Sequence, residues 1–229
     1  MFRFKQFAVR QDRCPMKVGT DGVLLGAWAE VRPGDRRMLD VGTGTGLIAL
    51  MLAQRSAARI TAVDVDAECA TQAAENFAAS PWADRLDAVA VAVQRYDPVE
   101  RFDLIVSNPP YYVDSLLSPD EGRNTARHAA GLPFGAAVVR LLSPGGRFAL
   151  VLPPVEMQRF RSAALGRLYP VRWTEVYSTP RRGVRRILAE FCTTPVPPPE
   201  PSRLVIELGG PDSYTEDYRR LTGDFYLKF

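Results

Sequence analysis

The chain has 229 residues, 46% of them hydrophobic, with a formal net charge of +3 and a sequence pI near 8.9. That suits one α/β domain spanning 1–229 with a core large enough to stand alone, and it excludes nucleic-acid binding through bulk charge, so any such surface must come from local clustering. Cys14, Cys69 and Cys192, odd in number and widely spaced, exclude a disulfide framework and a zinc site, and the lack of a long apolar run or signal-peptide core points to a soluble cytoplasmic protein.

Residues 1–19 form an N-terminal arm in which Phe2, Phe4 and Phe7 interleave with Arg3 and Lys5. Basic and aromatic residues mix this way on nucleic-acid surfaces, although the residue types favour an edge strand that covers the core. Thr20 is placed as an N-cap with Asp21 in the first turn of a helix, and Leu24, Leu25 and Trp28 form its apolar stripe. Arg32-Pro33-Gly34-Asp35 breaks it. Met38 to Val41 is a buried strand, Gly42-Thr43-Gly44-Thr45-Gly46 the loop after it, and Leu47 to Gln54 an apolar helix. Strand, glycine loop and helix bring backbone N–H groups to a polar ligand at close range. Arg59 to Val63 is the next strand, with Asp64 at its carboxyl end, where a carboxylate accepts from both ribose hydroxyls.

Gly44-Thr45-Gly46-Leu47-Ile48-Ala49 also fits the dinucleotide pattern G-x-G-x-x-A, with Asp64 near the spacing expected for NAD. The chain beyond Asp64 argues against hydride transfer. Ala67 to Ala79 is a helix, Ala88 to Val93 a third strand, and Phe102 to Ser107 a fourth that ends in Asn108-Pro109-Pro110-Tyr111. The two prolines donate no backbone hydrogen bond and leave nearby carbonyls free. Such a turn suits a planar ligand with an NH₂ group: the Asn108 amide oxygen and Pro109 carbonyl accept its N–H bonds, and Tyr111 stacks on its face. Adenine, cytosine and a glutamine amide all satisfy that description.

Residues 112–133 are expected as a loop over the site, polar from Leu116 to Pro133, in which the single histidine, His128, reads as a loop residue rather than a general base. Phe134 to Leu142 is a helix, Arg147 to Leu152 the fifth strand, and Val155 to Leu168 a helix. Trp173 to Tyr177 and Ile187 to Phe191 form a closing pair of strands around a basic hairpin, 178–186, whose Arg181, Arg182, Arg185 and Arg186 favour phosphate contact. Pro195 to Pro201 is a stiff connector, and Leu204 to Leu208 completes the sheet.

Asp40 ahead of the loop gives Asp-x-Gly-x-Gly-x-Gly, which resembles the first motif of class I S-adenosylmethionine-dependent methyltransferases, and Asn-Pro-Pro-Tyr resembles the catalytic signature of those acting on amino groups. The Phe2–Phe7 run, Lys17-Val18-Gly19-Thr20-Asp21-Gly22 and Asp224-Phe225-Tyr226-Leu227 resemble the bacterial tRNA1(Val) adenine-N6 methyltransferases over nearly the whole chain. The resemblance implies a Rossmann-like, seven-stranded, mostly parallel sheet with helices on both faces. It implies S-adenosyl-L-methionine as cofactor, tRNA as partner, no metal, a monomer or weak dimer, and adenine-37 in the anticodon loop as acceptor. Asp40 would lie near the cofactor's amino-acid end, with Gly42, Thr43, Gly44 and Gly46 around it, and Lys17, Thr20 and Asp21 near the methyl donor. Many relatives bind the cofactor's adenine amino group through an acid after the third strand; here Gln94 would make that contact by its amide. Asn108, Pro109, Pro110 and Tyr111 would hold the acceptor, and Arg3, Lys5, Arg181, Arg182, Arg185 and Arg186 the RNA. Two other functions suit parts of the pattern: a protein glutamine-amide methyltransferase, and a non-catalytic RNA-binding protein on the same fold.

Overall fold

The computed structural model of the chain describes residues 1–109, 131–210 and 212–229. Its organisation follows from one property of the strand Phe102–Ser107, in which Leu104, Ile105 and Val106 are all fully buried. Leu104 and Val106 pack with Leu24, Met51 and Phe77 on one face, whereas Ile105 packs with Phe134, Phe148 and Phe160 on the other. A strand points alternate side chains to opposite faces, so an unbroken apolar run requires helices on both.

The strands, in chain order, are β1 (Phe2–Arg3), β2 (Ala8–Val9), β3 (Arg37–Val41), β4 (Arg59–Asp64), β5 (Leu86–Ala90), β6 (Phe102–Ser107), β7 (Leu142–Leu152), β8 (Tyr169–Tyr177), β9 (Val184–Cys192) and β10 (Ser202–Val205). The helices are α1 (Thr20–Trp28), α2 (Leu47–Arg55), α3 (Ala67–Ala78), α4 (Gly131–Leu141), α5 (Pro154–Ala163) and α6 (Glu216–Thr222). β1 and β2 pair with each other; the rest form one sheet in the order β10-β8-β9-β7-β6-β3-β4-β5. β7, β6, β3, β4 and the edge strand β5 run parallel, β9 is antiparallel to β7 and β8, and β10 is parallel to β8. Buried residues of α1, α2 and α3 cover one face, and those of α4 and α5 cover the other.

The sheet has eight strands rather than seven. The outermost is β10, the strand expected at Leu204 to Leu208, which instead spans Ser202–Val205 and is held at the edge where the Ser202 hydroxyl meets Thr174 Oγ1 at 2.7 Å and donates to the Trp173 carbonyl at 3.1 Å. β5 ends at Ala90, short of the expected Val93, which is buried at the start of a short 3-10 turn, Val93–Arg95. The arm covers the core: Phe4 and Phe7 are buried, stacked with centroids 4.7 Å apart, and Phe4 lies 5.9 Å from the ring of Tyr226. Among the described residues no helix is long and apolar enough to cross a membrane. All three cysteines are free thiols.

Candidate active site

β3 sits at the middle of the sheet with β4 on one side and β6 on the other, so the chain reverses its winding direction between β3 and β6. Open parallel sheets form their ligand crevice beyond the carboxyl ends of the strands at that switch point. Val41 lies opposite Ser107 in the ladder, and the Ser107 hydroxyl donates to the Val41 carbonyl at 2.8 Å. The next residues of each strand, Gly42 and Asn108, therefore leave the sheet side by side.

The glycine loop is tied down from beneath. Gly42 and Thr43 N–H donate to the Val63 carbonyl at 2.9 and 3.1 Å, and Gly46 N–H to the Thr43 carbonyl at 2.9 Å. Gly42 has φ +70° and nothing within 4 Å of where a Cβ would stand, which leaves its backbone open to a ligand. Gly46, with φ +81°, has another role: a Cβ there would lie 2.5 Å from the Phe77 ring, so it lets α2 and α3 pack.

Asp40 is fully buried. Its Oδ2 accepts from Thr43 Oγ1 at 2.7 Å and from Ala49 N–H at 3.2 Å, while Oδ1 has no partner among the described residues. Burial pushes its pKa up to about 7; the two hydrogen bonds oppose that rise and the charge of Asp64 adds to it. Asp64 accepts from Gly44 N–H at 2.8 Å and from Asp66 N–H at 3.0 Å. Two amides thus hold the carboxylate, and each oxygen keeps a lone pair for a hydroxyl.

Asn108 Oδ1 is also buried without a partner among the described residues, and its Nδ2 lies 4.0 Å from Met16 Sδ. Above it runs the first turn of α1, where a Cβ on Gly22 would lie 3.1 Å from Leu47 and 4.0 Å from Asn108 Nδ2. Two orphaned acceptors, Asp40 Oδ1 and Asn108 Oδ1, thus stand at neighbouring strand ends beside an open glycine backbone. Burying an acceptor without a donor costs about 1–3 kcal/mol, which a ligand carrying N–H groups returns. This donor and acceptor set fits S-adenosylmethionine and an amino-bearing acceptor.

The expected site residues divide into groups. Asp40, Gly42, Thr43, Gly44, Gly46, Asp64 and Asn108 converge at the strand ends, with Pro109 buried behind Asn108. Lys17 instead points its ammonium back to the carbonyls of Gln11 and Cys14, at 2.5 and 2.9 Å. Thr20 is exposed in the first turn of α1; Gly19, not Thr20, occupies the N-cap, and no side chain caps it. Asp21 accepts from Arg186 Nε at 2.8 Å. Gln94 is exposed in the 3-10 turn. Lys5, grouped with the RNA-facing cations, donates to the carbonyls of Gly223 and Phe229 at 2.6 and 2.7 Å, because the arm packs against the C-terminal segment. Arg3, Arg181, Arg182 and Arg185 are exposed. Pro110, Tyr111 and His128 lie outside the described residues.

Two residues escaped the motif reading. Gln72 and Asn76 on α3 are buried, and their oxygens accept from the backbone N–H groups of Asp12 and Arg13 (3.1 Å each) and of Arg10 (2.8 Å). The Asn76 amide also donates to the carbonyls of Arg10 and Thr45, at 2.9 and 2.8 Å, and so fastens the arm to the glycine loop. Their signal was present: Cys69, Gln72, Ala73, Asn76 and Phe77 share one helical stripe, and an amide in such a stripe needs partners.

The family described as the methyltransferase small domain matches residues 21–160. A tRNA1(Val) (adenine(37)-N6)-methyltransferase of Parabacteroides distasonis is 46% identical, covering 99% of this chain and 98% of that protein. One of the same name from Flavobacterium johnsoniae is 45% identical over all of both chains. Among solved structures, a predicted O-methyltransferase of Agrobacterium tumefaciens superposes with TM-score 0.69 at 18% identity, covering 90% of this chain and 96% of that one. TrmN from Thermus thermophilus gives 0.57 at 23% identity, covering 76% of this chain and 48% of that one. These two share the fold.

Proposed function

Since the chain belongs to the family of the tRNA1(Val) (adenine(37)-N6)-methyltransferases, we propose that it methylates N6 of adenine-37 in the anticodon loop of tRNA1(Val), with S-adenosylmethionine as cofactor. The observation that carries this reading is the juxtaposition of Asn108 with the loop Gly42–Gly46 at the switch point, each side offering buried groups without partners. Bound in the crevice, S-adenosylmethionine supplies an electrophilic methyl group.

Asp64 accepts the ribose hydroxyls, the glycine loop receives the amino-acid portion, and Asp40 Oδ1 faces its charge. Gln94 is the candidate for the adenine edge. Asn108 Oδ1 and the Pro109 carbonyl accept the two N–H bonds of the target amine and so aim its lone pair. Orientation of this kind is the chain's main contribution to an in-line transfer. The same two hydrogen bonds strengthen as the nitrogen gains positive charge, which favours the transition state over the ground state. Tyr111 stacks on the adenine once it leaves the loop stack, and the displaced N–H proton leaves after transfer. Such a substrate goes with a cytoplasmic chain working as a monomer or weak dimer.

The test is mass spectrometry of nucleosides and fragments from tRNA1(Val) incubated with the protein and labelled cofactor. N6-methyladenosine in the anticodon-loop fragment is expected. A methylated cytosine, or unmethylated tRNA alongside a methylated protein glutamine, would overturn the reading.

A further inference from the structure

Beside the strand-end site lies a second concave surface, a cleft of about 720 Å³ between the arm, the first turn of α1, the start of β9 and the segment around α6. That volume lies within the range of roughly 300–1,000 Å³ typical of small-ligand sites. Phe2, Tyr214, Tyr226 and Phe229 form its aromatic walls, each ring only half buried. The rings brace one another: Tyr214 and Tyr226 meet Phe229 edge-on with centroids 4.9 and 5.3 Å apart, and Phe2 lies 6.4 Å from Tyr226.

Three exposed cations stand on the same cleft, Arg3, Arg185 and Lys228, and none has a side-chain partner among the described residues. Of the three acids there, Asp21 is held by Arg186, leaving Glu207 and Asp212. Braced aromatic faces beside unpaired cations match a nucleotide of a single strand, whose base stacks while its phosphate meets the guanidinium or ammonium. The cleft also shares a wall with the methyl-transfer site: Thr20 and Asp21 line it, and the next residue, Gly22, abuts Leu47 and Asn108.

We propose that this cleft is a subsite for a nucleotide flanking the methylated adenine, with its base on Tyr214 and Tyr226 and its phosphate on Arg3, Arg185 and Lys228. The proposal rests on the RNA-methylating function above and adds where the neighbours of the target base go. A strand crossing the first turn of α1 leaves one nucleotide in the cleft and presents the next at Asn108.

The test uses the full chain, a tRNA1(Val) transcript, and the variants Lys228→Glu, Arg3→Glu/Lys228→Glu and Tyr214→Ala. Each is expected to raise KM for tRNA, the double variant by tenfold or more, with the loss in KM rather than kcat and with S-adenosylmethionine affinity unchanged. Photo-cross-linking with 4-thiouridine placed beside adenine-37 is expected to label residues 212–229. Should Tyr214→Ala fail to fold, the exposed charge variants still decide. If the wild type methylates the transcript while the charge variants keep its KM and the cross-link falls elsewhere, the subsite is wrong. If adenosine monophosphate at micromolar concentration abolishes the cross-link without inhibiting tRNA methylation, the cleft holds a free nucleotide and the proposal fails. A wild type that leaves tRNA unmethylated overturns the functional reading and this proposal with it.

Discussion

Arg186 on β9 and Asp21 in the first turn of α1 pair at 2.8 Å across 165 positions of sequence. Both side chains are about four-fifths buried, so the pair ties the base of the arginine hairpin to the helix that lies over Asn108. A double-mutant cycle of Arg186→Ala and Asp21→Ala in urea should give a coupling of about 1 kcal/mol, at the upper end for partly exposed pairs. Arg181→Ala/Arg182→Ala should leave stability unchanged and flatten the salt dependence of tRNA binding, by about 0.7 in the log–log slope per lost phosphate contact. Zero coupling in the first experiment, or an unchanged slope in the second, contradicts the respective role.

Asp40 makes stability depend on pH in a direction unusual for an aspartate. Its pKa is about 7 in the native protein against an ordinary 3.8, so between those values the native state keeps a proton that the unfolded chain has lost. Its stabilising contribution is complete below about pH 3.8, declines as pH rises through that window, and is constant above 7. At about 1.4 kcal/mol per pKa unit the decline amounts to a few kcal/mol. Asp40→Asn should remove it, so urea unfolding at pH 4.5, 6 and 8 should show the variant gaining on the wild type as pH rises. Parallel profiles would count against the assignment.

Asn108 separates function from stability. Replacing it by alanine removes a buried oxygen without a partner among the described residues, so the melting temperature should hold or rise. Turnover should fall by roughly 10²-fold or more, with cofactor affinity little altered, because the lost hydrogen bond acts on the amine that receives the methyl group. Calorimetry and single-turnover kinetics measure the two halves. Normal turnover would remove Asn108 from the site.

Two glycines of one loop should fail in different ways. Gly46→Ala forces a Cβ to within 2.5 Å of the Phe77 ring at φ +81° and should unfold the protein at lower denaturant, costing on the order of 1–3 kcal/mol. Gly42→Ala meets nothing within 4 Å and carries only the backbone strain of φ +70°, about 1 kcal/mol, so its larger effect should be on cofactor affinity. Equal stability losses with unchanged affinity for both would show that Gly42 does not face the ligand.

The unbroken apolar run Leu104–Val106 dictated a strand buried on both faces, and the spacing of Asp40, Gly42, Gly44 and Gly46 dictated a glycine loop with positive φ at a strand end, because both properties are local: alternation and the backbone freedom of one short segment. Asn108 was legible for the same reason, as the residue at which an apolar strand stops. Gln72 and Asn76 under the arm, Lys5 on the C-terminal carbonyls and Arg186 on Asp21 were decided only by the tertiary structure. A lysine or arginine reads as a free cation until the fold sets an acceptor within its reach. Those acceptors lie 165 positions away for Arg186 and 218 and 224 for Lys5, beyond any periodicity or propensity. The long, flexible stems of these side chains let topology alone choose their partners.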